Sequence, residues 1–411
     1  MVFDTCKKTQ WILLPLLILF ILAMVEKNTD SMTSMRRMET GEGKRKANVS
    51  SDFSHQSLRS KMLDSETSEY SLADEQIDTK SNYNTMAADS KSLGWHGTNN
   101  LRFDWSNLPL HSEIAKRLDE HQNNCLLPVR EYGWRGDSGL GSDVHVWGNH
   151  LWAGLLYGYR VKSPYPWIWV DSEACGGSSS WQCYFTGVEP TCTGEEMQSK
   201  PILAGVCGKE AFWPDTYATP AFRAAATEFV FSRLSNVVIT EAKRQLNAVF
   251  GRSGIPSDLI AVHVRWGDKI MEANLIPIEN YIAAVNKLVR ERKLDEVHVL
   301  LCTEDPKGVI AFKEAAPTSW NIYLDHFYTE LLPFRENRDV TYNLPSLIAM
   351  ELNGRPGLWA LGSLLVAMEA NHFVLSTSSN WARLMNEVRK NILNPQCGNC
   401  TSLIDLGEGE C

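Results

Sequence analysis

The sequence predicts an α/β protein whose C-terminal part is a parallel sheet with helices on both faces. Two observations carry this. From Gly251 onward, short apolar runs alternate with longer helical ones, and that rhythm marks βαβ units. Each apolar run also stops at polar residues, as strands do when their C-terminal ends open on a ligand crevice. The expected strands are Leu259–Val264, Val297–Cys302, Ile322–Leu324 and Phe373–Ser376. The expected helices are Pro277–Arg292, Pro306–Ala315, Leu358–Ala370 and Trp381–Lys390. The polar ends are Arg265 to Glu272; Thr303, Glu304 and Asp305; Asp325; and Ser376 to Asn380. Neither GxGxxG nor GxxxxGK[ST] occurs, so neither a dinucleotide fingerprint nor a P-loop is supported.

Upstream, His111–Asn123 and Asp143–Tyr159 read as helices and Trp167–Val170 as a short buried strand. Thr219–Phe250 reads as a long helical region, continuous or broken. Thr219 suits the N-cap and Pro220 the first helical position. Between Cys175 and Cys207 lies a Gly-, Ser- and Cys-rich loop region, expected to be stapled by disulfides.

The 411 residues are 44% hydrophobic and 22% charged, which fits one or two domains plus extra segments. The net charge of −9 leaves no nucleic-acid footprint. Many of the 14 Trp lie between Trp134 and Trp213. They suit a core better than a sugar platform.

The N-terminus reads as an address. Lys7 and Lys8 precede an uncharged apolar run from Thr9 to Val25, closed by Glu26 and Lys27. An uncleaved signal anchor is expected, with a cleaved signal peptide as its competitor. The lysines would stay cytoplasmic. Asn28 to Leu93 is rich in Ser, Thr, Asn, Asp and Lys and too poor in apolar residues to form a core. It reads as a stem. Ten cysteines are present; Cys6 would be cytosolic and the other nine would face an oxidising lumen. Nine is odd, and Cys302, at the end of an apolar run, is expected to be the buried free thiol. Cys397 and Cys400 read as disulfide members rather than a zinc or redox half-site. Asn48-Val-Ser50 and Asn399-Cys-Thr401 are N-glycosylation sequons.

The densest signal is Leu259–Ile282, LIAVHVRWGDKIMEANLIPIENYI. A strand-like run meets His263, Arg265, Asp268, Lys269 and Glu272, and Pro277 then opens a helix. A fixed cation with nearby carboxylates is what a site needs to hold a phosphate and move a proton. This segment resembles the first donor-binding motif of the α1,6-fucosyltransferase family, which moves fucose from GDP-fucose to the innermost GlcNAc of N-glycans. The pattern is a strand ending in His-x-Arg, then Asp-Lys, a nearby Glu and Pro-Ile-Glu, here Pro277-Ile278-Glu279. Trp266 and Gly267 depart from it, where the family usually has Arg and Thr, and the loop before Glu272 is slightly shorter. Cys302-Thr-Glu-Asp-Pro306 resembles the second motif. Asn371 to Asn380, followed by Arg383, resembles the third. The Cys125 region, Gly139–Tyr159 and Trp181 to Cys192 resemble the first lobe. Where the family has an acid taken as the guanine partner, a gapless comparison places Ser363, with Glu369 a little further on. The animal enzymes also carry a coiled coil before and an SH3-like domain after the catalytic part; no SH3-like domain is expected here.

The resemblance implies a two-lobe, GT-B-like glycosyltransferase with a Rossmann-like C-terminal nucleotide-binding lobe. The expected divisions are a tail and anchor at 1–27, a stem at 28–94, an N-terminal lobe at 95–250 and a GDP-sugar-binding lobe at 251–411. Arg265 would bind the diphosphate, since guanidinium is a planar fork matched to phosphate oxygens, and His263 would contact the nucleoside. Ser378, Ser379 and Asn380 would offer a helix N-terminus to phosphate, with N-capping as a compatible role. Glu272 is expected as the general base, with Asp268 the other candidate and Lys269 orienting or tuning it. Glu304 and Asp305 would contact the donor, hold the loop or serve a helix N-terminus. No metal and no cofactor beyond the GDP-fucose donor is implied. The implied partners are GDP-fucose, an N-glycan or glycoprotein acceptor and, through the anchor, the Golgi membrane in type II orientation; a homodimer is possible. The same fold acting on another glycan or a protein hydroxyl, or an inactive lumenal glycan-binding protein, stays open as an alternative.

Overall fold

The computed structural model describes residues 100–131, 139–163, 166–191, 219–267, 274–335 and 345–407. The expected anchor, stem, Cys6, Asn48 sequon, Trp134, Trp213, Cys192, Cys207 and Cys411 lie outside the described residues. Among the described residues no helix is long and apolar enough to cross a membrane.

In chain order the elements are α1 Glu113–Gln122, β1 Val129–Glu131, α2 Leu140–Tyr157, β2 Arg160–Lys162, α3 Pro220–Phe231, α4 Asn236–Phe250 and β3 Leu259–His263. They continue with α5 Ile278–Arg292, β4 His298–Cys302, α6 Pro306–Ala315, β5 Asn321–Leu324, α7 His326–Arg335, α8 Pro345–Glu351 and α9 Arg355–Ala367. The last are β6 His372–Leu375, α10 Asn380–Val388, α11 Asn394–Cys397 and β7 Ser402–Asp405. The α/β class is as expected. β3 to β7 form one parallel sheet in the order β5-β4-β3-β6-β7. β3 is therefore paired on both sides, and the chain reverses its direction of travel across the sheet between β3 and β6. Each expected strand and helix of this half lies within a few residues of an observed one. α7, α8, the short α11 and the edge strand β7 were not foreseen.

The sheet is buried on both faces. Ile260 and Val262 of β3 and Val299 and Leu301 of β4 pack with Val285 and Leu288 of α5 and Phe312 of α6. Leu259, Ala261, Phe373 and Leu375 face the other way, into a cluster with Leu361 and Leu365 of α9 and Met385 of α10. That second cluster continues into Trp105, Trp147, Trp181 and Phe231, so apolar packing crosses the expected lobe boundary at 250/251. Gln245 of α4 adds a polar tie, donating to the Trp359 carbonyl at 2.8 Å.

The helical half follows its local signals. Thr219 caps α3, its Oγ1 accepting the Phe222 N–H at 3.2 Å, and Pro220 stands at the first helical position. Gly158 ends α2 in the left-handed region at φ 73°. The helical region 219–250 is broken between α3 and α4. Its backbone leaves the helix there because Leu234 N–H donates to Trp105 O and Ser235 N–H to Tyr184 O.

Trp167–Val170 is a buried turn and not the expected strand. The Val170 N–H bonds locally to Trp167 O at 3.1 Å. What orders the segment is side-chain chemistry. Both indole N–H groups, of Trp167 and Trp169, donate to Asp143 Oδ2 at 2.9 and 3.2 Å. Trp181 stacks with Trp147 and with Trp167, and all three are almost wholly buried, so they are core and not a sugar platform. Cys175–Cys183 staples the adjoining loop. Cys125 is also disulfide-bonded, and among the described residues Cys302 is a buried free thiol, as expected.

Cys397 and Cys400 bond to each other. Cys397 ends α11, where the helix dipole is negative and disfavours a thiolate. A structural staple fits that position better than a redox pair.

Asp143→Ala strips the acceptor from two buried indoles and is expected to cost about 1–3 kcal/mol for each orphaned N–H. Asp143→Asn, which keeps an acceptor oxygen, is expected to cost less; urea midpoints at constant m-value compare them.

Glu369 gives a pH signature. Burial pushes its carboxyl up to about 7 from 4.5, while the Arg102 backbone N–H and guanidinium pull the other way. The folded chain therefore holds a proton over that interval that the unfolded chain has released. The contribution to stability is full below the unfolded value and is lost as pH rises through the folded one. Glu369→Gln is expected to gain on the wild-type urea midpoint between pH 5 and pH 8.

Candidate functional site

The C-terminal ends of parallel strands gather polar groups because the chain must leave the sheet there. At a switch point the two adjacent loops also part to opposite sides and open a crevice. Here the switch lies between β3 and β6. The residues leaving β3 are Val264, Arg265 and Trp266, and those leaving β6 are Ser376 to Ser379. Sequence reasoning selected these two loops, and the topology makes them neighbours across the crevice.

His263 ends β3 and is 5% exposed. Burial, with Arg265 second, lowers its imidazole to about 3, so the ring is neutral at physiological pH. Its Nδ1 has no hydrogen-bond partner among the described residues. A neutral ring with a buried nitrogen that no described residue takes up thus stands at the switch point.

Arg265 donates through one terminal nitrogen to Glu304 Oε1 at 2.6 Å and to its neighbour's carbonyl, Trp266 O, at 2.8 Å. Both charged side chains are mostly covered, at 16% and 13% exposure. Glu304 thus holds the guanidinium in place. Asp305 has a helix role: its Oδ1 accepts the Lys307 N–H at 3.0 Å and caps α6.

The departures from the family pattern have physical reasons. Trp266 Nε1 donates to Ile276 O at 2.9 Å, so its ring ties together the two sides of the following loop. Gly267 has φ 76°, a left-handed conformation that a side chain would strain. Asp268, Lys269 and Glu272 lie outside the described residues, between Gly267 and Asn274.

Across the crevice, Ser379 stands at the N-cap of α10 without making a side-chain cap bond. Ser376 and Ser378 share a hydrogen bond between their hydroxyls at 2.8 Å. The Ser379 N–H is used by Ser376 O at 3.0 Å. Capping, the plainer expectation for this serine, is therefore not what its side chain does. The first-turn N–H groups of α10 have no acceptor among the described residues, and an uncapped first turn is an anion-binding end. The start of α2 abuts it: a Cβ on Gly141 would lie 2.9 Å from Asn380 O. Ser378 and Asn380 are exposed.

Position 363 carries a further finding. The Ser363 hydroxyl donates to Asp325 Oδ2, and both residues are buried. Asp325 leaves β5, accepts the Phe327 N–H at 3.1 Å, and is pushed by burial to about 6. A carboxylate is thus present beside position 363, supplied by β5 and not by α9. Glu369 is no substitute. It binds Arg102, whose guanidinium also reaches Asn371, and the Asn371 N–H bonds Leu259 O at the opposite end of the strands. Among the described residues no group of His, Cys, Asp and Glu is placed to hold a metal ion.

Glu304 both positions Arg265 and neutralises it. Glu304→Gln keeps an acceptor but removes the competing charge. It is expected to tighten the binding of inorganic pyrophosphate, used as a probe anion, about tenfold, or about 1.4 kcal/mol, by titration calorimetry.

No family model matches the chain, and no curated protein does. Among solved structures, the chain is similar to the fucosyltransferase NodZ from Bradyrhizobium, at 12% identity, over 63% of this chain and 92% of that one, with a TM-score of 0.36. It is similar to NodZ α-1,6-fucosyltransferase soaked with GDP-fucose, at 14% identity over 64% and 92%, with a TM-score of 0.36. It is also similar to POFUT1 in complex with GDP, at 12% identity over 72% and 78%, with a TM-score of 0.31.

Proposed function

We propose that the chain is a fucosyltransferase of the α1,6 type, moving fucose from GDP-fucose to a GlcNAc of an N-glycan on the lumenal side of the Golgi. The single observation that carries the donor side is the switch-point pair: a fixed guanidinium leaves β3, and an uncapped helix N-terminus follows β6. Together these offer a charged fork and backbone N–H groups to one anion, and a nucleoside diphosphate suits them. The ordered motif around Arg265, resembling the donor motif of the α1,6-fucosyltransferases, supports the sugar.

In this reading the C1–O bond to the β-phosphate breaks, and its electron pair goes to the phosphate oxygen. Arg265 and the α10 N–H groups stabilise that charge as it forms, which is where preorganised donors act most strongly. The acceptor hydroxyl attacks C1 from the opposite face, and its proton passes to Glu272 or Asp268, giving inversion. The neutral His263 offers its free nitrogen to the nucleoside side. Fixed protein cations serve where a divalent ion otherwise would, so the reaction is read as metal-independent.

The test is GDP release by the full chain, given GDP-fucose and an N-glycan with a free core GlcNAc, with and without EDTA. Turnover that survives EDTA and falls about 10²–10³-fold in Arg265→Ala is the expected result. GDP binding without turnover would leave the donor and move the acceptor to another glycan or a protein hydroxyl. Absence of both would sink the fucosyltransferase reading.

A further inference from the structure

We propose that Asp405 is the positioning residue of the phosphate turn Ser376–Ser379; this rests on the donor reading above. Asp405 ends β7 and pairs in register with Leu375, the last residue of β6. Its carboxylate reaches over the turn that follows. Oδ1 accepts the Thr377 N–H at 3.0 Å and the Gly407 N–H at 2.8 Å. Oδ2 accepts the Thr377 hydroxyl. The Leu406 N–H closes the clasp on Leu375 O at 2.7 Å. Residue 407 lies so near the turn that a Cβ there would sit 2.9 Å from Ser378 N and 3.0 Å from Thr377 N.

The arrangement runs against simple electrostatics. A carboxylate beside a turn that binds phosphate repels the ligand. Its geometry explains its presence. Asp405 consumes the Thr377 N–H and the Thr377 hydroxyl, so Thr377 cannot bend inward to cap α10. Ser376 O then takes the Ser379 N–H, and the first-turn N–H groups of α10 are left for an anion. The carboxylate acts through the turn and touches no substrate. It sacrifices some charge complementarity for a fixed donor geometry, and misplacing such donors by about an ångström can cost about 10²-fold.

Two substitutions separate shape from charge. Asp405→Asn keeps Oδ1 as acceptor for both N–H groups, turns the Oδ2 position into a donor toward the Thr377 hydroxyl, and removes the repulsion. Asp405→Ala removes all three bonds. GDP affinity is measured by calorimetry and the Thr377 amide by hydrogen exchange. The expected result is GDP affinity about 10²-fold weaker in the Ala variant, with the Thr377 amide unprotected, and affinity equal to or tighter than wild type in the Asn variant, with the amide protected. In turnover, the Ala loss is expected in KM more than in kcat, and Asn restores it. Wild-type GDP affinity in the Ala variant, with only a lower urea midpoint, would make Asp405 an edge-strand tie and overturn the proposal. Loss of affinity in Asn equal to that in Ala would overturn it too, by making the charge itself the requirement. Failure of the wild-type chain to bind GDP would instead remove the donor reading, and this inference with it. Gly407→Ala, whose Cβ would press on the same two nitrogens and lie 3.2 Å from Asp405 Oδ1, is expected to weaken GDP binding in the same direction.

Discussion

β3 is hydrogen-bonded on both sides, to β4 and β6, and all five of its residues are buried. A strand in that position has no freedom to shift register, because a slip by one residue would exchange its two buried faces. Its fixed register sets where His263 and Arg265 leave the sheet. Its two neighbours then lead the chain in opposite directions, and the crevice between them follows from the strand order. The apolar contacts of Ile260 and Val262 on one face and of Leu259 and Ala261 on the other hold this arrangement. The chemistry at the C-terminal edge is thus suspended from packing at the centre.

The charges at that edge are held in tension and not simply paired. Arg265 is anchored by Glu304, so it is preorganised yet partly neutralised. The α10 terminus is left uncapped although a serine stands at the capping position. His263 is kept neutral by burial with a nitrogen unused among the described residues. Each of these would be wasteful in a region that only had to be stable, since unsatisfied buried polar groups cost free energy. They meet at one switch point, although Ser235 before α4 also makes no cap bond and the buried Trp105 and Trp181 indole nitrogens have no hydrogen-bond partner among the described residues.

Elsewhere the same residue types serve structure. Asp143 gathers two indoles, and Glu228 takes the backbone N–H groups of His111 and Ser112 at the start of α1. Arg233 forks onto Asp119 with both terminal nitrogens, at 2.8 and 2.6 Å. These acids and bases are satisfied by protein partners, Asp143 and Glu228 in buried positions and the Arg233–Asp119 pair in a partly exposed one.

The sequence by itself determined the elements whose causes are local. The apolar runs of β3, β4, β5 and β6, the helices between them, and the Thr219-Pro220 start of α3 are set by periodicity and by side chains that bond within a few residues. Arg265, Glu304 and Ser378–Asn380 stand out as candidates for the same reason: each lies just past the end of a readable strand. Tertiary structure alone decided the rest. The turn at Trp167–Val170 depends on Asp143 from another helix, and the break at Ser232–Ser235 depends on carbonyls of Trp105 and Tyr184. The short runs of β1, β2 and β7 become strands only because partners lie beside them. Ser363 of α9 read as a lost carboxylate until Asp325, just past the end of β5, stood next to it. Asp405 carried no signal at all, because its partners Thr377 and Gly407 acquire their meaning when β7 docks on β6. A hydrogen bond between neighbours is written in the order of residues; one between distant segments exists only after the strand order is chosen, and that choice is made by the burial of many side chains together.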